Sequence, residues 1–299
     1  MRRLHFFGAT FFILYFAGSA CAQTAPFQPP RETPLVEIAT DKVPTEGVSE
    51  KGAIALKIFP NKWKTAETPN FYIHFRRATE ARKVAREVEY NLAFVAQQLG
   101  ATPAQYARKS HVYVFEDASE WSTFVDKTQV PEWTASFAYG DELFLNVRGK
   151  DAGGFDSQTL AHETTHAVIS RIYGQRRWPL FLNEGFAEYM GSAAIAGRKN
   201  QTLKRFQNKL ETADMSLTEL VQLESYPDNL SDVARLYQTG EKFVRFLMSV
   251  GKPPQFVAFA DALSNGQTVE NAIAANYHEA FPTFAKFQEA FAKYSGGKK

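Results

Sequence analysis

The spacing of apolar residues along the chain predicts a mixed α/β half followed by a helical half. Residues 79–99 carry valine and leucine at helical spacing and are followed by Gly100, which predicts a long amphipathic helix. From Ser157 onwards the pattern is helical almost throughout, apart from a loop over 176–179. Segments rich in β-branched and aromatic residues are typical of strands, and three are present: 71–75, 111–115 and 137–147, the last interrupted near Gly140.

This order of elements predicts an α+β fold. We expect a mixed sheet whose antiparallel edge borders a cleft and packs on a helix that begins near Ser157, followed by an α-helical C-terminal subdomain. We assign the folded domain to residues 53–299, with the α/β half over 53–174 and the helical half over 175–299. No internal repeat is apparent.

The first 22 residues have the layout of a secretory signal peptide. Arg2 and Arg3 form a short basic region, and residues 6–18 form an apolar stretch that is too short to span a bilayer comfortably. The site that ends at Ala22 fits the small-x-small cleavage pattern. We therefore expect export to a periplasm or to the cell exterior, with an uncleaved signal anchor as the alternative. The rest of the chain has no run of ~20 apolar residues, so we expect no membrane span in the mature chain.

Two further features lie in the N-terminal region. Cys21 is the only cysteine, and cleavage after Ala22 would remove it, so we expect neither a disulfide nor a reactive thiol in the mature chain. A lipoprotein with Cys21 as its acylated N-terminus is the alternative. Residues 23–52 contain recurring prolines without a sustained helical or strand pattern, which predicts an extended and largely unpacked spacer.

The charge balance gives no reason to expect a polyanionic partner. The chain has 34 basic and 32 acidic residues, and removal of Arg2 and Arg3 with the signal peptide leaves 32 of each. A neutral mature chain lacks the electrostatic attraction that favours binding to nucleic acids and anionic membranes. We therefore expect neither as a partner.

The segment 157–169 contains the pattern His-Glu-x-x-His. On an α-helix a step of four residues turns ~400°, so His162 and His166 project from nearly the same face and can share one tetrahedral metal ion. Glu163 flanks that face, where it can reach water beside the metal without binding the metal itself. The alternative is a helix with two solvent-facing or internally bonded histidines.

A second segment follows the first in the order and spacing typical of a gluzincin. Residues 182–187, Leu-Asn-Glu-Gly-Phe-Ala, resemble the second signature of the aminopeptidase-N family, and the region also resembles bacterial predicted secreted peptidases with the same core. The resemblance implies a zincin-like sheet and a second helix, crossing the first, on which Glu184 is the third zinc ligand. Seventeen residues separate His166 from Glu184, one fewer than is usual in that family. We expect a single Zn²⁺ ion held by His162, His166 and Glu184.

The resemblance also implies roles for two residues beyond the ligands. Glu188 follows Glu184 by one helical turn, and the acidic residue at this position in gluzincins supports the first histidine, here His162. The segment 235–243 is similar to the family's Tyr-x-x-Gly helix, whose tyrosine, here Tyr237, stabilises the tetrahedral oxyanion. The alternatives are a solvated carboxylate for Glu188 and a core side chain in a helical stripe for Tyr237.

Three other histidines show no ligand spacing. His74 and His111 alternate with apolar residues in predicted strands, and His278 lies in an exposed-looking helical stretch. We expect packing or edge roles for the two histidines in the strands.

The expected ligand set predicts a zinc-dependent peptidase. Two imidazoles and one carboxylate leave a fourth position open for water, and Glu163 would act as the general base. Residues 134–142 lack the Gly-x-Met-Glu-Asn strand with which the aminopeptidase-N family anchors a free N-terminus, although Asp141 and Glu142 are present. We therefore expect an endopeptidase whose substrates are peptides or unfolded proteins.

Two other functions are compatible with this sequence. One is a catalytically silent pseudo-peptidase that keeps the fold as a cell-envelope binding or scaffolding module. The presence of all three expected ligands and of Glu163 argues against it. The other is a zinc hydrolase that acts on a bond other than a peptide bond.

Overall fold

The computed structural model describes residues 27, 33–131, 134–147, 156–174, 176–199 and 213–296. The predicted signal peptide, which includes Cys21, lies outside the described residues. Within the described ranges, none of the helices combines the length and the apolar character that a membrane crossing requires.

A mixed sheet forms the centre of the N-terminal half, and six of its strands lie in the described ranges. They are β1 (Val36–Ile38), β2 (Lys64–Glu67), β3 (Phe71–Phe75), β4 (Ser110–Phe115), β5 (Ser136–Tyr139) and β6 (Glu142–Asn146). Their order is β1-β2-β3-β4-β6-β5, with β3, β4 and β6 parallel and the other neighbours antiparallel. Among the described strands, β5 therefore lies at the edge of the sheet.

Helices cover both faces of the sheet and make up the C-terminal half. The described α-helices are α1 (Glu50–Lys57), α2 (Ala78–Gln98), α3 (Ala118–Thr128), α4 (Ser157–Tyr173), α5 (Leu180–Arg198), α6 (Leu217–Gln222), α7 (Leu230–Val250), α8 (Pro253–Ser264), α9 (Val269–Asn276) and α10 (Phe284–Ser295). The sheet packs on α2 and α4 on one face and on α1 and α3 on the other. α5 packs against both α4 and α7, so it connects the sheet half to the helical half.

Alternation along the strands produces two apolar cores. Ile73, Val112 and Leu145 belong to the core shared with α2 and α4, whereas Tyr113 and Phe144 belong to the core beside α1 and α3. Successive side chains of a strand point to opposite faces, so a strand covered on both faces is an almost continuous apolar run. The central strands can therefore be recognised in the sequence from their nearly continuous apolar runs.

Most of the predicted elements agree with the structure. The strands at 71–75 and 111–115, the helix that follows the first of them and the loop at 176–179 are confirmed. The predicted third strand is instead a hairpin, because Gly140, with a φ of 62°, reverses the chain between β5 and β6. The structure has a mixed sheet with helices on both faces and is compatible with the α+β class.

The folded part begins earlier than predicted. Residues 36–38 of the predicted spacer form β1 and pair with β2, and α1 begins at Glu50 rather than after residue 53. Phe27 packs edge-on against two aromatic rings of α2. β1 has only three residues, too few for a side-chain pattern to predict a strand. It is a strand because it pairs with β2.

Two histidines form a buried pair within the sheet. Nε2 of His74 lies 2.9 Å from Nδ1 of His111, and Nδ1 of His74 lies 3.0 Å from Oγ1 of Thr65. Burial and, to a smaller extent, the neighbouring His111 lower the pKa of His74 to about 3. Burial also lowers the pKa of His111 to about 4, although the charge of Asp141 opposes the change. Both rings are therefore neutral in the folded protein near pH 7, which agrees with packing roles.

The buried pair predicts a loss of stability in mild acid. An unfolded chain protonates both histidines below pH 6.5, whereas the folded protein does so only near pH 3 to 4, so the free energy of unfolding falls as the pH drops below 6.5. Each histidine lowers it by ~2 kcal/mol at pH 5. Urea denaturation with a chelator present measures this fall between pH 7 and pH 5. We expect the fall to be ~2 kcal/mol smaller in His111→Gln, and an equal fall in both proteins would exclude the neutral pair.

Candidate metal centre

α4 carries the predicted metal-binding pattern on a helix with defined ends. Asp156 accepts a hydrogen bond from the backbone N–H of Thr159 and so caps the first turn, and Gly174 ends the helix with a φ of 59°. The buried hydroxyls of Thr164 and Thr165 donate to carbonyl oxygens one turn earlier. Both buried hydroxyls are therefore satisfied within the helix that presents the two histidines.

α5 crosses α4 and α7 at glycines that allow close approach of the backbones. A β-carbon at Gly191 would lie 3.1 Å from the carbonyl oxygen of Gln158 in α4. A β-carbon at Gly185 would overlap the carbonyl oxygen of Gly240 in α7. Larger residues at these positions would force the helices apart. The close crossings bring the side chain of Glu184 towards α4.

Three side chains from α4 and α5 bring nitrogen and oxygen atoms close to one point. The Nε2 atoms of His162 and His166 lie 3.0 Å apart, and Oε2 of Glu184 lies 3.4 Å from each of them. In a tetrahedral site with bonds of ~2.0–2.1 Å, neighbouring ligand atoms are ~3.3 Å apart. Among the described residues, these three side chains form a group whose possible ligand atoms all lie within 4.8 Å of one another, close enough to share one metal ion. The group could therefore hold a metal ion.

The carboxylate of Glu184 has an oxygen that protein donors leave unsatisfied. Its side chain is 1% exposed, and Oε2 accepts no hydrogen bond from the described residues. Burial of an acceptor without a partner costs free energy, and a bound cation would remove that cost. The environment of Oε2 therefore fits a metal ligand.

The charges around the group favour a cation. Burial raises the pKa of Glu184, but the attraction of the neighbouring imidazoles outweighs burial and holds this pKa below its usual range. Burial lowers the pKa of His162, but the carboxylates of Glu184 and Glu188 outweigh burial and hold this pKa well above its usual value. The site thus stabilises positive charge at His162, and a metal ion would supply such a charge.

Glu188 lies where it can orient a ligand histidine. Its Oε1 is 3.2 Å from Nδ1 of His162, on the side of the ring away from Nε2. A carboxylate at Nδ1 favours the tautomer with the proton on that nitrogen and leaves Nε2 free to bind a metal. The position of Glu188 therefore suits the predicted supporting role.

Glu163 lies beside the ligand atoms and contacts the edge strand. Its Oε2 accepts a hydrogen bond of 2.9 Å from the backbone N–H of Ala138 in β5. Burial raises the pKa of Glu163, and the charges of His162 and His166 only partly oppose this. A half-buried carboxylate of raised pKa that accepts a hydrogen bond at one oxygen is suited to accept a proton.

Tyr237 reaches the same site from α7. Its ring centroid is 5.9 Å from that of His162, and its side chain lines the cleft as well as packing against the core. Burial raises the pKa of Tyr237, and the charges of Glu184 and Glu163 raise it further, so the hydroxyl stays protonated and can donate a hydrogen bond. The structure therefore places Tyr237 at the predicted site.

Tyr226 is a site residue that the sequence does not mark. Its hydroxyl donates a hydrogen bond of 2.6 Å to Oε1 of Glu184, from the loop between α6 and α7. A single tyrosine before Pro227 has no periodicity and no motif spacing that would identify it. The fold alone brings this hydroxyl to the metal-binding group.

The site opens into a cleft of about 870 Å³ between β5 and the helical half. Residues 136–140 line one side, so the edge strand borders the cleft as predicted. Ile169 and Leu230 contribute apolar surface, and Arg176 and Arg177 contribute positive charge. A cleft with an exposed strand edge is accessible to an extended chain.

Asp141 and Glu142 are engaged in the fold and do not line the cleft. The carboxylate of Asp141 lies 2.7 Å from the guanidinium of Arg108. Glu142 accepts hydrogen bonds from the hydroxyl of Tyr113 at 2.8 Å and from the backbone N–H of Ser49 at 3.0 Å. Neither carboxylate is placed to bind the amino group of a substrate.

Comparison with protein-family models gives no match to this chain, and comparison with curated proteins gives none either. The metal-binding group and its surroundings are therefore the basis on which a function can be assigned. A relationship to gluzincins is still an expectation, and it is based on two sequence motifs, at residues 162–166 and 182–187.

Proposed function

We propose that the chain is a zinc-dependent peptidase of the gluzincin type and acts as an endopeptidase on peptides or unfolded proteins. The main support is the convergence of two Nε2 atoms and one carboxylate oxygen, from His162, His166 and Glu184, with Glu163 beside them. Two imidazoles and one carboxylate are a ligand set typical of catalytic zinc and leave one tetrahedral position open. Mg²⁺ and Ca²⁺ prefer sites built of oxygen atoms, so the two imidazoles favour zinc.

The side chains of the site divide the chemistry of peptide hydrolysis among them. When bound, Zn²⁺ supplies a Lewis acid that polarises a carbonyl group and acidifies water. Glu163 accepts a proton from the attacking water and passes it to the leaving amine. The hydroxyl of Tyr237 donates to the carbonyl oxygen as negative charge grows on it. Glu188 holds His162 in the tautomer that leaves Nε2 free.

The cleft supports an extended peptide as the substrate. The outer edge of β5 presents backbone groups with which an extended chain can form strand-like hydrogen bonds. The apolar side chains of Ile169 and Leu230 would contact substrate side chains. The engagement of Asp141 and Glu142 elsewhere in the fold favours internal cleavage over removal of N-terminal residues. We further propose export to a periplasm or to the cell exterior, on the basis of the signal-like residues 1–22.

Cleavage of a library of internally quenched peptides tests this function. We expect the zinc-loaded chain to cleave internal bonds, a chelator to stop the cleavage, and added zinc to restore it. Acetylation of the peptide N-termini should leave cleavage unchanged, because an endopeptidase does not need a free amino group. Loss of cleavage on acetylation would instead indicate an aminopeptidase.

The same assay separates the alternative functions. A chain that binds zinc but cleaves no peptide would contradict the proposal and favour a pseudo-peptidase or a hydrolase of other bonds. Cleavage that a chelator does not inhibit would also contradict it, because the proposed chemistry requires the metal.

A further inference from the structure

Tyr226 is an exposed residue whose hydroxyl reaches the buried metal-binding group. The residue is 52% exposed, yet its hydroxyl donates at 2.6 Å to Oε1 of Glu184, whose side chain is 1% exposed. Water could satisfy the hydroxyl of an exposed tyrosine, so Tyr226 does not need this bond for its own stability. The buried carboxylate does need a donor. The bond is therefore best explained by what it does for Glu184.

The two oxygens of Glu184 have different surroundings. Oε1 accepts the bond from Tyr226, whereas Oε2 faces the Nε2 atoms of His162 and His166 at 3.4 Å each. The terminal torsion of a glutamate is broad, so a carboxylate without partners can turn freely. A donor on one oxygen restricts this rotation and leaves the other oxygen directed at the imidazoles. Metal ligands in proteins are commonly oriented by such partners.

We propose that Tyr226 is a positioning residue for the metal-binding carboxylate. Its hydroxyl holds Glu184 in the one orientation that directs Oε2 at the two ligand nitrogens, so the ligand group is ordered before the metal arrives. A ligand ordered in advance loses less conformational freedom on binding, which strengthens metal affinity. This inference rests on the proposed zinc peptidase, because it assigns a role to a residue of that same site.

Tyr226 and Tyr237 have separate roles, although their hydroxyls are close enough to interact. Tyr226 is bonded to a ligand, so its loss acts first on the metal. Tyr237 faces His162 across the cleft and is assigned to the substrate carbonyl, so its loss acts on the reaction. The pair therefore provides a variant and a matched control within one site.

The experiment compares zinc affinity in the parent, Tyr226→Phe, Tyr237→Phe and Tyr139→Phe, by competition with a chromophoric chelator. Phenylalanine keeps the ring and removes the hydroxyl. We expect zinc binding to weaken ~10–100-fold in Tyr226→Phe and to stay at the parent value in the other two. Tyr139 is an equally exposed tyrosine, 50%, that lines the same cleft. Peptide cleavage by Tyr226→Phe should recover towards the parent rate when zinc is in large excess, whereas that of Tyr237→Phe should not.

The outcomes separate this inference from the proposed function. Parent-like zinc affinity in Tyr226→Phe, or an equal loss in Tyr237→Phe, would overturn the positioning role even if the parent binds zinc and cleaves peptides. A zinc-loaded parent that cleaves no peptide would contradict the proposed function, and the affinity comparison would still decide the role of Tyr226. Unfolding of the metal-free proteins provides the check on structure. We expect one cooperative transition in each, with a lower midpoint in Tyr226→Phe because the buried carboxylate of Glu184 loses its donor.

Discussion

Glu163→Gln is expected to slow peptide cleavage ~10²–10⁴-fold while the chain still binds one zinc ion. Glutamine matches the size of glutamate, but its amide is not basic and cannot accept the proton from water. Glu163 is not a member of the ligand group, so zinc affinity should stay close to the parent value. The loss should appear mainly in kcat, because the proton transfer takes place in the transition state.

Steady-state kinetics on a peptide taken from the library, with zinc content measured on the same preparations, checks this result. Glu188→Gln is the matched control, because it keeps the base and weakens only the support of His162. Its zinc affinity should fall ~10–100-fold, with activity recovering in excess zinc. A Glu163→Gln protein without zinc would mean that Glu163 has a structural role. Parent-like activity of the zinc-loaded variant would place the base elsewhere.

Glu184→Gln is expected to abolish the stabilisation of the fold by zinc. An ion that binds only the folded state adds ~4 kcal/mol at a free concentration 1,000-fold above its Kd. For a chain of this size that corresponds to a rise of ~10 °C in Tm. Glutamine has nearly the same shape as glutamate, but its neutral amide oxygen is a far weaker ligand, so the rise should disappear.

Thermal unfolding with zinc and with a chelator measures the effect. Glu289→Gln is the control, because Glu289 is an exposed carboxylate on α10 and should show the full shift of the parent. A zinc-dependent shift of parental size in Glu184→Gln would remove Glu184 from the ligand group. The site would then need another third ligand.

The elements that a single segment specifies could be predicted from the sequence. α4, which begins at Ser157, could be predicted because its capping residue and its helical pattern lie in one continuous segment. β3, which spans Phe71–Phe75, could be predicted because its residues are typical of a strand. The placement of His162 and His166 on one face follows from the geometry of any helix. The pattern within one segment therefore predicts the positions of two of the three ligand atoms, the Nε2 atoms of His162 and His166.

Elements that depend on distant partners were not predicted. β1 and β2 have three and four residues, and their pairing with each other and with β3 defines them. α1 has only eight residues and packs with α3 over one face of the sheet, so tertiary packing rather than local preference sets β1, β2 and α1. α3 differs, because Trp121, Phe124 and Val125 lie at helical spacing and the sequence therefore does carry a signal for this helix.

The candidate site shows the same division. Glu184 could be placed because a motif resembles that of a known family, whereas Tyr226 lies 42 residues further along the chain without any motif. The contact between His74 and His111 joins residues 37 apart in neighbouring strands. Spacing rules describe neighbours within one element, so contacts between elements appear only in the folded chain.

A crystal of the zinc-loaded chain decides whether the three ligand atoms share one ion. Anomalous diffraction at the zinc edge should show a single strong peak ~2.0–2.2 Å from Nε2 of His162, Nε2 of His166 and Oε2 of Glu184. A peak at another place, or no peak at these atoms, would refute the metal centre and the peptidase chemistry derived from it.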